Sequence, residues 1–335
     1  MKDKKYSTKA IVEASLIAVL ISIIMIITGY LPIVSFIGTL ILPVPVAILY
    51  IRYNMKVTIT AIFLSIIITS LVYNPIMAIY AAISCSVVGI ALGYSVKKDK
   101  TSSTTLLFLG IGSAVSNILT IAFSMLFIEK VSFIDFLAKN LELLKSTMNG
   151  SLNELKTIYT QQGITASQLN LLNQNYDVIK KLDVSLILML IPASIFIFSF
   201  ISAYLNYIVA KAILKRLNYK MKEVLPFSKF CVSNIVGAVL IGTVCVGIIM
   251  NAKHITGGEY IQNSSQILTQ FIFIANGLAA STYFLRVKRH LSKLVVILIL
   301  VLTSISPLGN IYFSIGLVEM AFDFRKLDPY RIKRK

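Results

Sequence analysis

Few residues of this 335-residue chain carry the chemical capacity for catalysis or metal binding. Its two histidines, His254 and His290, stand in polar breaks on either side of a single apolar run, so a membrane separates them and they share no site. The motifs HExxH, GxxxxGK[ST] and GxSxG do not occur, which leaves zinc-assisted hydrolysis, P-loop nucleotide hydrolysis and a nucleophile elbow without their residues. Cys85, Cys231 and Cys245 form no CxxC pair and fall in or at the ends of apolar runs, where they read as buried, small packing residues. The expectation is a protein that is not an enzyme, with no catalytic residue, no cofactor and no metal. Two carboxylates, Glu13 and Glu319, lie inside apolar runs, and an intramembrane charge is a functional candidate by default. Each sits about one turn from the end of its run, within reach of the interface or of nearby Lys and Arg. Three amides lie deeper: Asn117, Asn206 and Asn276. They suit either hydrogen bonds between helices or a pocket for a neutral or zwitterionic small molecule.

These residues must be positioned by membrane spans. Apolar residues make up 57% of the chain and charged residues 14%, against about 25% in a soluble domain. Mean hydropathy is +0.83, and several apolar runs approach or exceed the roughly 18 residues that cross a bilayer. A soluble enzyme, a disulfide scaffold and a disordered tail are all excluded. The run after the basic start, from Ala10 to about Thr28, is too long for a signal-peptide core and reads as a retained first span. The breaks predict spans at 10–29, 33–51, 57–73, 75–95, 104–128, 184–210, 230–250 and 266–285. The last run, 291–322, is divided at Ser306–Asn310 by Pro307 and Gly309 into two short spans. The predicted fold is an all-α polytopic transmembrane bundle of about ten spans (8–10). It divides into an N-terminal bundle of five spans (1–128), an extracytoplasmic helical cap (129–183) and a C-terminal bundle of about five spans with a basic tail (184–335).

Charge orients the bundle. With the amino terminus inside, segments 1–9, 52–56, 97–100, 211–229, 286–293 and 323–335 hold 25 Lys and Arg against 5 Asp and Glu, while 129–183 and 251–264 together hold 7 of each. The positive-inside rule then predicts an integral cytoplasmic-membrane protein with both termini cytoplasmic. Basic flanks of this kind account for the net charge of +18 without nucleic acid. Within the cap, Phe133, Phe136, Leu137, Leu141, Leu144 and Met148 recur at helical spacing. Ser132 with Asp135, and Ser151 with Glu154, read as capping boxes that open two helices; Gly163 ends the second, and Thr165 with Gln168 opens a third.

Small residues recur at every fourth position in the first span (Ala10, Ala14, Ala18), the fourth (Ala81, Cys85, Gly89, Gly93) and the fifth (Gly110, Ala114), a spacing that lets helices approach closely. The basic start running into Ala10, Ala14 and Ala18, the Leu42-Pro43-Val44-Pro45 segment and the close Phe322-Asp323-Phe324-Arg325-Lys326 together resemble the YybS-like group of uncharacterised bacterial membrane proteins. Residues 1–210 also resemble the S components of energy-coupling factor vitamin transporters. That second resemblance implies small-molecule binding for transport, with Ala10, Ala14 and Ala18 meeting a transmembrane coupling subunit, which works with ATPase subunits. The alternative function is a non-catalytic membrane scaffold of the cell envelope.

Overall fold

The computed structural model describes residues 8–161, 181–305 and 307–327. Polar breaks set the starts of the spans. The Asn54 side chain accepts a hydrogen bond from the Val57 N–H and so caps α4 (Met55–Val72); Asn74 accepts from Ile76 and is followed by Pro75, the first residue of α5 (Pro75–Lys97). Thr101 caps α6 (Ser102–Phe123), and Ser233 caps α9 (Asn234–Ala252), in the same way. The remaining helices are α1 (Thr8–Tyr30), α2 (Pro32–Ile41), α3 (Pro43–Arg52), α7 (Phe133–Gln161), α8 (Val184–Arg216), α10 (Gly258–Tyr283), α11 (Lys293–Ile305) and α12 (Ile311–Phe322). Single π-helical turns extend α6 (Ser124–Glu129) and α10 (Phe284–Lys288); Lys130, which caps the first, and His290, two residues after the second, have left-handed backbone.

Among the described residues, eight segments are long and apolar enough to cross a membrane, with α2 and α3 together forming one of them. Leu42 keeps helical dihedrals at the α2–α3 joint, so Pro43 bends the helix rather than ending it. The helices α11 and α12 have 13 and 12 residues, or about 20 Å each, short of about 30 Å of hydrocarbon. A 3₁₀ turn at Pro307–Asn310 joins them.

The N-terminal half packs around α3, which is buried on two sides. Val46 and Leu49 join Ala18 and Ile21 of α1, Ala61 of α4 and Cys85 of α5. Val44 and Ala47 join Leu92 of α5, Leu109 of α6 and Ala203 and Tyr207 of α8. The small-residue stripe of α5 serves this packing: a Cβ on Gly89 would lie 2.6 Å from the Val46 side chain and 2.7 Å from the Pro43 carbonyl. α8 runs between the halves, and its Met189 carbonyl accepts a hydrogen bond from Ser264 of α10 at 2.6 Å.

Beyond it, α10 and α12 meet at a seam of unusual closeness. A Cβ on Gly277 would stand 1.9 Å from the Tyr312 carbonyl, and one on Gly316 would stand 1.9 Å from the Phe273 carbonyl. Leu294, Leu298, Leu302 and Ile305 of α11 remain exposed on the lipid side.

Two expectations are corrected. Ser151 and Glu154 do not open a helix, because α7 continues from Phe133 to Gln161 and the Ser151 hydroxyl donates to the Thr147 carbonyl within it. Ser132 does open α7, accepting from the Asp135 N–H at 3.3 Å. All three cysteines are free, but only Cys85 is buried; Cys231 is half-buried and Cys245 exposed. The third cap helix, expected from Thr165, lies outside the described residues.

Candidate functional site

The described polar groups near the membrane gather mainly on one side of the bundle, which carries segments 52–56, 97–100, 217–233, 286–293 and 323–327. One node joins α1 to α3. Glu13 accepts from the Arg52 guanidinium at 2.8 Å and from the Tyr53 hydroxyl, while Arg52 Nε donates to the Tyr219 hydroxyl at 2.9 Å. Hydrogen bonding to the Glu13 carboxylate holds the Tyr53 proton in place and pushes its pKa above the ordinary value, with burial acting in the same direction. This node is half-exposed, and surface pairs of this kind contribute about 0–1 kcal/mol. Lys222 adds a tie from the α8–α9 loop to Asp99, at 3.2 Å to the carboxylate.

The second node is buried. Glu319 of α12 is 4% exposed, and the Arg325 side chain is fully covered. Arg325 Nε donates to Glu319 Oε1 at 2.7 Å, Nη1 donates to the carbonyls of Ser228 and Phe230, and Nη2 donates to Asn276 Oδ1 at 3.0 Å. Asn276 completes its valence by donating from Nδ2 to the Gly316 carbonyl at 2.8 Å. The chain reaches this geometry through Asp323, whose left-handed backbone (φ 47°) reverses direction after α12. Aspartate tolerates that conformation better than most residues. Each nitrogen of the guanidinium donates to an acceptor of the same chain, which is what a buried charge requires.

The other predicted amides stand apart from this node. Asn117 of α6 donates to Ser199 of α8 at 3.1 Å, tying those two helices. Asn206 is 4% exposed and donates to the Ser202 carbonyl and hydroxyl of its own helix; its Oδ1, like the Ser113 hydroxyl, finds no partner among the described residues. Among the described residues, Asn117, Asn206 and Asn276 share no hydrogen bond with one another. Of the α1 alanines, Ala18 is fully buried in the N-terminal core, Ala10 is 6% exposed, and Ala14 is half-buried. Ala10 and Ala14 also line a groove of about 350 Å³ between α1 and α4. Sequence reasoning singled out Glu319 but gave Arg325 no partner. The signal was a carboxylate in a span with an arginine six residues later, across an aspartate suited to a reversal.

An all-α bundle with eight membrane-length helices and a buried ion pair defines a polytopic membrane protein. The chain belongs to the family described as Predicted membrane protein (DUF2232), whose model matches residues 19–320. It is similar to "Uncharacterized protein YybS" of Bacillus subtilis (strain 168), at 22% identity over 330 residues, covering 95% of this chain and 98% of that protein. No solved structure matches the chain, and the S-component resemblance read from residues 1–210 gains no support.

Proposed function

We infer that the protein is a non-catalytic membrane scaffold of the cell envelope, with both termini cytoplasmic and α7 on the outer face. The observation that carries this reading is α7 itself: 29 residues, about 44 Å of helix. It turns Leu141 inward, while Ile134, Leu143 and Leu144 stay exposed at 60%, 63% and 47%. Such a helix offers apolar anchors beside polar neighbours, the composition of a surface that holds another protein. Orientation rests on the 25-to-5 excess of basic over acidic residues in the segments assigned to the inside. Absence of enzymatic activity belongs to the same proposal, since the buried charges described are engaged in ties within the chain. The test is a photo-crosslinking residue at Leu143 in intact cells. A discrete protein adduct from position 143 that disappears when the neighbouring exposed Leu144 is replaced by Asp supports the scaffold; adducts confined to lipid or to the chain's own residues refute it.

One observation favours a second reading, small-molecule binding for transport with a coupling subunit and ATPase subunits. The Asn206 Oδ1 is buried without a donor, and a ligand N–H could satisfy it. Mass spectrometry of the purified protein distinguishes the readings. A stoichiometric small molecule lost on Asn206→Leu supports transport, and its absence from both proteins refutes it.

A further inference from the structure

We propose that the groove between α1 and α4 is a binding site for an anionic phospholipid, holding one acyl chain along the helices and the headgroup phosphate at Lys56. The groove encloses about 350 Å³ and is walled by Ala10 and Ala14 on one side and by Thr60, Ala61 and Leu64 on the other. Small side chains at the first two positions keep the floor low, and the wall is almost entirely apolar. Lys56, at the start of α4, stands at the end of the groove that lies on the basic side of the bundle.

Charge and size select the occupant. Among the described residues no carboxylate pairs with Lys56. The only carboxylate on α1, Glu13, already accepts from Arg52 and Tyr53. Lys56 is the charged residue among those lining the slot, and a cation at the polar mouth of an apolar slot complements an anion joined to a hydrocarbon chain. Lys56 to Leu64 spans about 12 Å of helix, a length of apolar slot along which a flexible chain can lie.

The chain contains no tryptophan, so one introduced residue reports alone. Ile11 lines the groove and is 58% exposed, and Leu16, 65% exposed, lies on another face of α1. The experiment places Ile11→Trp protein singly in nanodiscs of phosphatidylcholine containing a minor fraction of lipid with brominated chains. The brominated lipid is either phosphatidylglycerol or phosphatidylcholine. Apparent affinity from quenching is expected to favour phosphatidylglycerol about fivefold, the contribution of one lysine near an anionic surface. Lys56→Ala removes the preference, Lys56→Arg keeps it, and Leu16→Trp shows none. Thr60→Trp, on the facing wall, serves as a second reporter if Ile11→Trp folds poorly. Equal quenching by the two lipids, a preference that survives Lys56→Ala, or a reporter that no brominated lipid reaches would each overturn the site.

Discussion

Gly277 and Gly316 are reciprocal: each lies against the carbonyl of the residue four positions before the other, at a distance that a Cβ would reduce to 1.9 Å. The backbones of α10 and α12 therefore touch without intervening side chains. Gly316→Ala should separate the helices and destabilise the fold by about 1–3 kcal/mol, as overpacking does in a close-packed interior. Gly242→Ala is the control, because a Cβ there meets nothing within 4 Å. Thermal midpoints in detergent check the pair; equal midpoints would contradict the seam.

The buried ion pair should behave asymmetrically. Arg325→Met leaves the Glu319 carboxylate without its cation, and Glu319→Leu leaves the guanidinium without its anion, each at a cost of about 3–5 kcal/mol. The double substitution Glu319→Leu with Arg325→Met should recover most of that loss, since matched apolar replacement of a buried pair is often neutral. A double-mutant cycle in chemical unfolding tests this, and strictly additive losses would show that the two residues do not interact.

Gly150 sits inside α7, and a Cβ at that position meets nothing within 4 Å. Gly150→Ala should stabilise the helix by about 0.5–1 kcal/mol through propensity alone. Hydrogen exchange of the α7 amides should slow. Exchange that quickens would place a break where the sequence pattern expected one, at Ser151.

How much of this was legible beforehand differs by residue. Asn54, Asn74 and Thr101 stand in the polar breaks ahead of the spans expected from 57, 75 and 104, because a cap is a local device, whereas Ser233 caps α9 from inside the span expected at 230–250. Ser151 misled for the same reason: its hydroxyl serves a cap or the preceding turn equally well, and only the continuing helix decides. Asn276 was recognisable as a buried amide, but its partners Arg325 and Gly316 are 49 and 40 positions away. Contacts at that separation leave no periodic trace. The Gly277–Gly316 contact was hidden too, since neither glycine belongs to a small-residue stripe that the four-residue spacing picks out.

The Tyr53 hydroxyl donates to Glu13 and its pKa is raised from 10.0. A raised value means that the folded state holds this proton more tightly than the unfolded chain. The stabilisation is full below about pH 10 and is lost as pH rises through the folded-state value. Tyr53→Phe should flatten the alkaline limb of a stability–pH curve without altering the acid limb. An unchanged alkaline limb would assign that loss of stability to other groups.

Sidedness can be checked with single cysteines in a cysteine-free background. Ser146 on α7 and Ser103 at the start of α6 are both exposed on the folded chain. A membrane-impermeant maleimide should label Cys at position 146 in intact cells and leave position 103 unlabelled until the membrane is opened. The reverse pattern would invert the topology.

Arg325 also bears on how the chain is made. Glu319 emerges from the ribosome six residues ahead of its only described cationic partner, and the carbonyls of Ser228 and Phe230 have by then been waiting for about a hundred residues. A released chain truncated just before Arg325 would keep Glu319 and lose its described cation, leaving an unneutralised acid beside the seam of α10 and α12. Membrane proteases act on what opens, and such a product would open at its last helix.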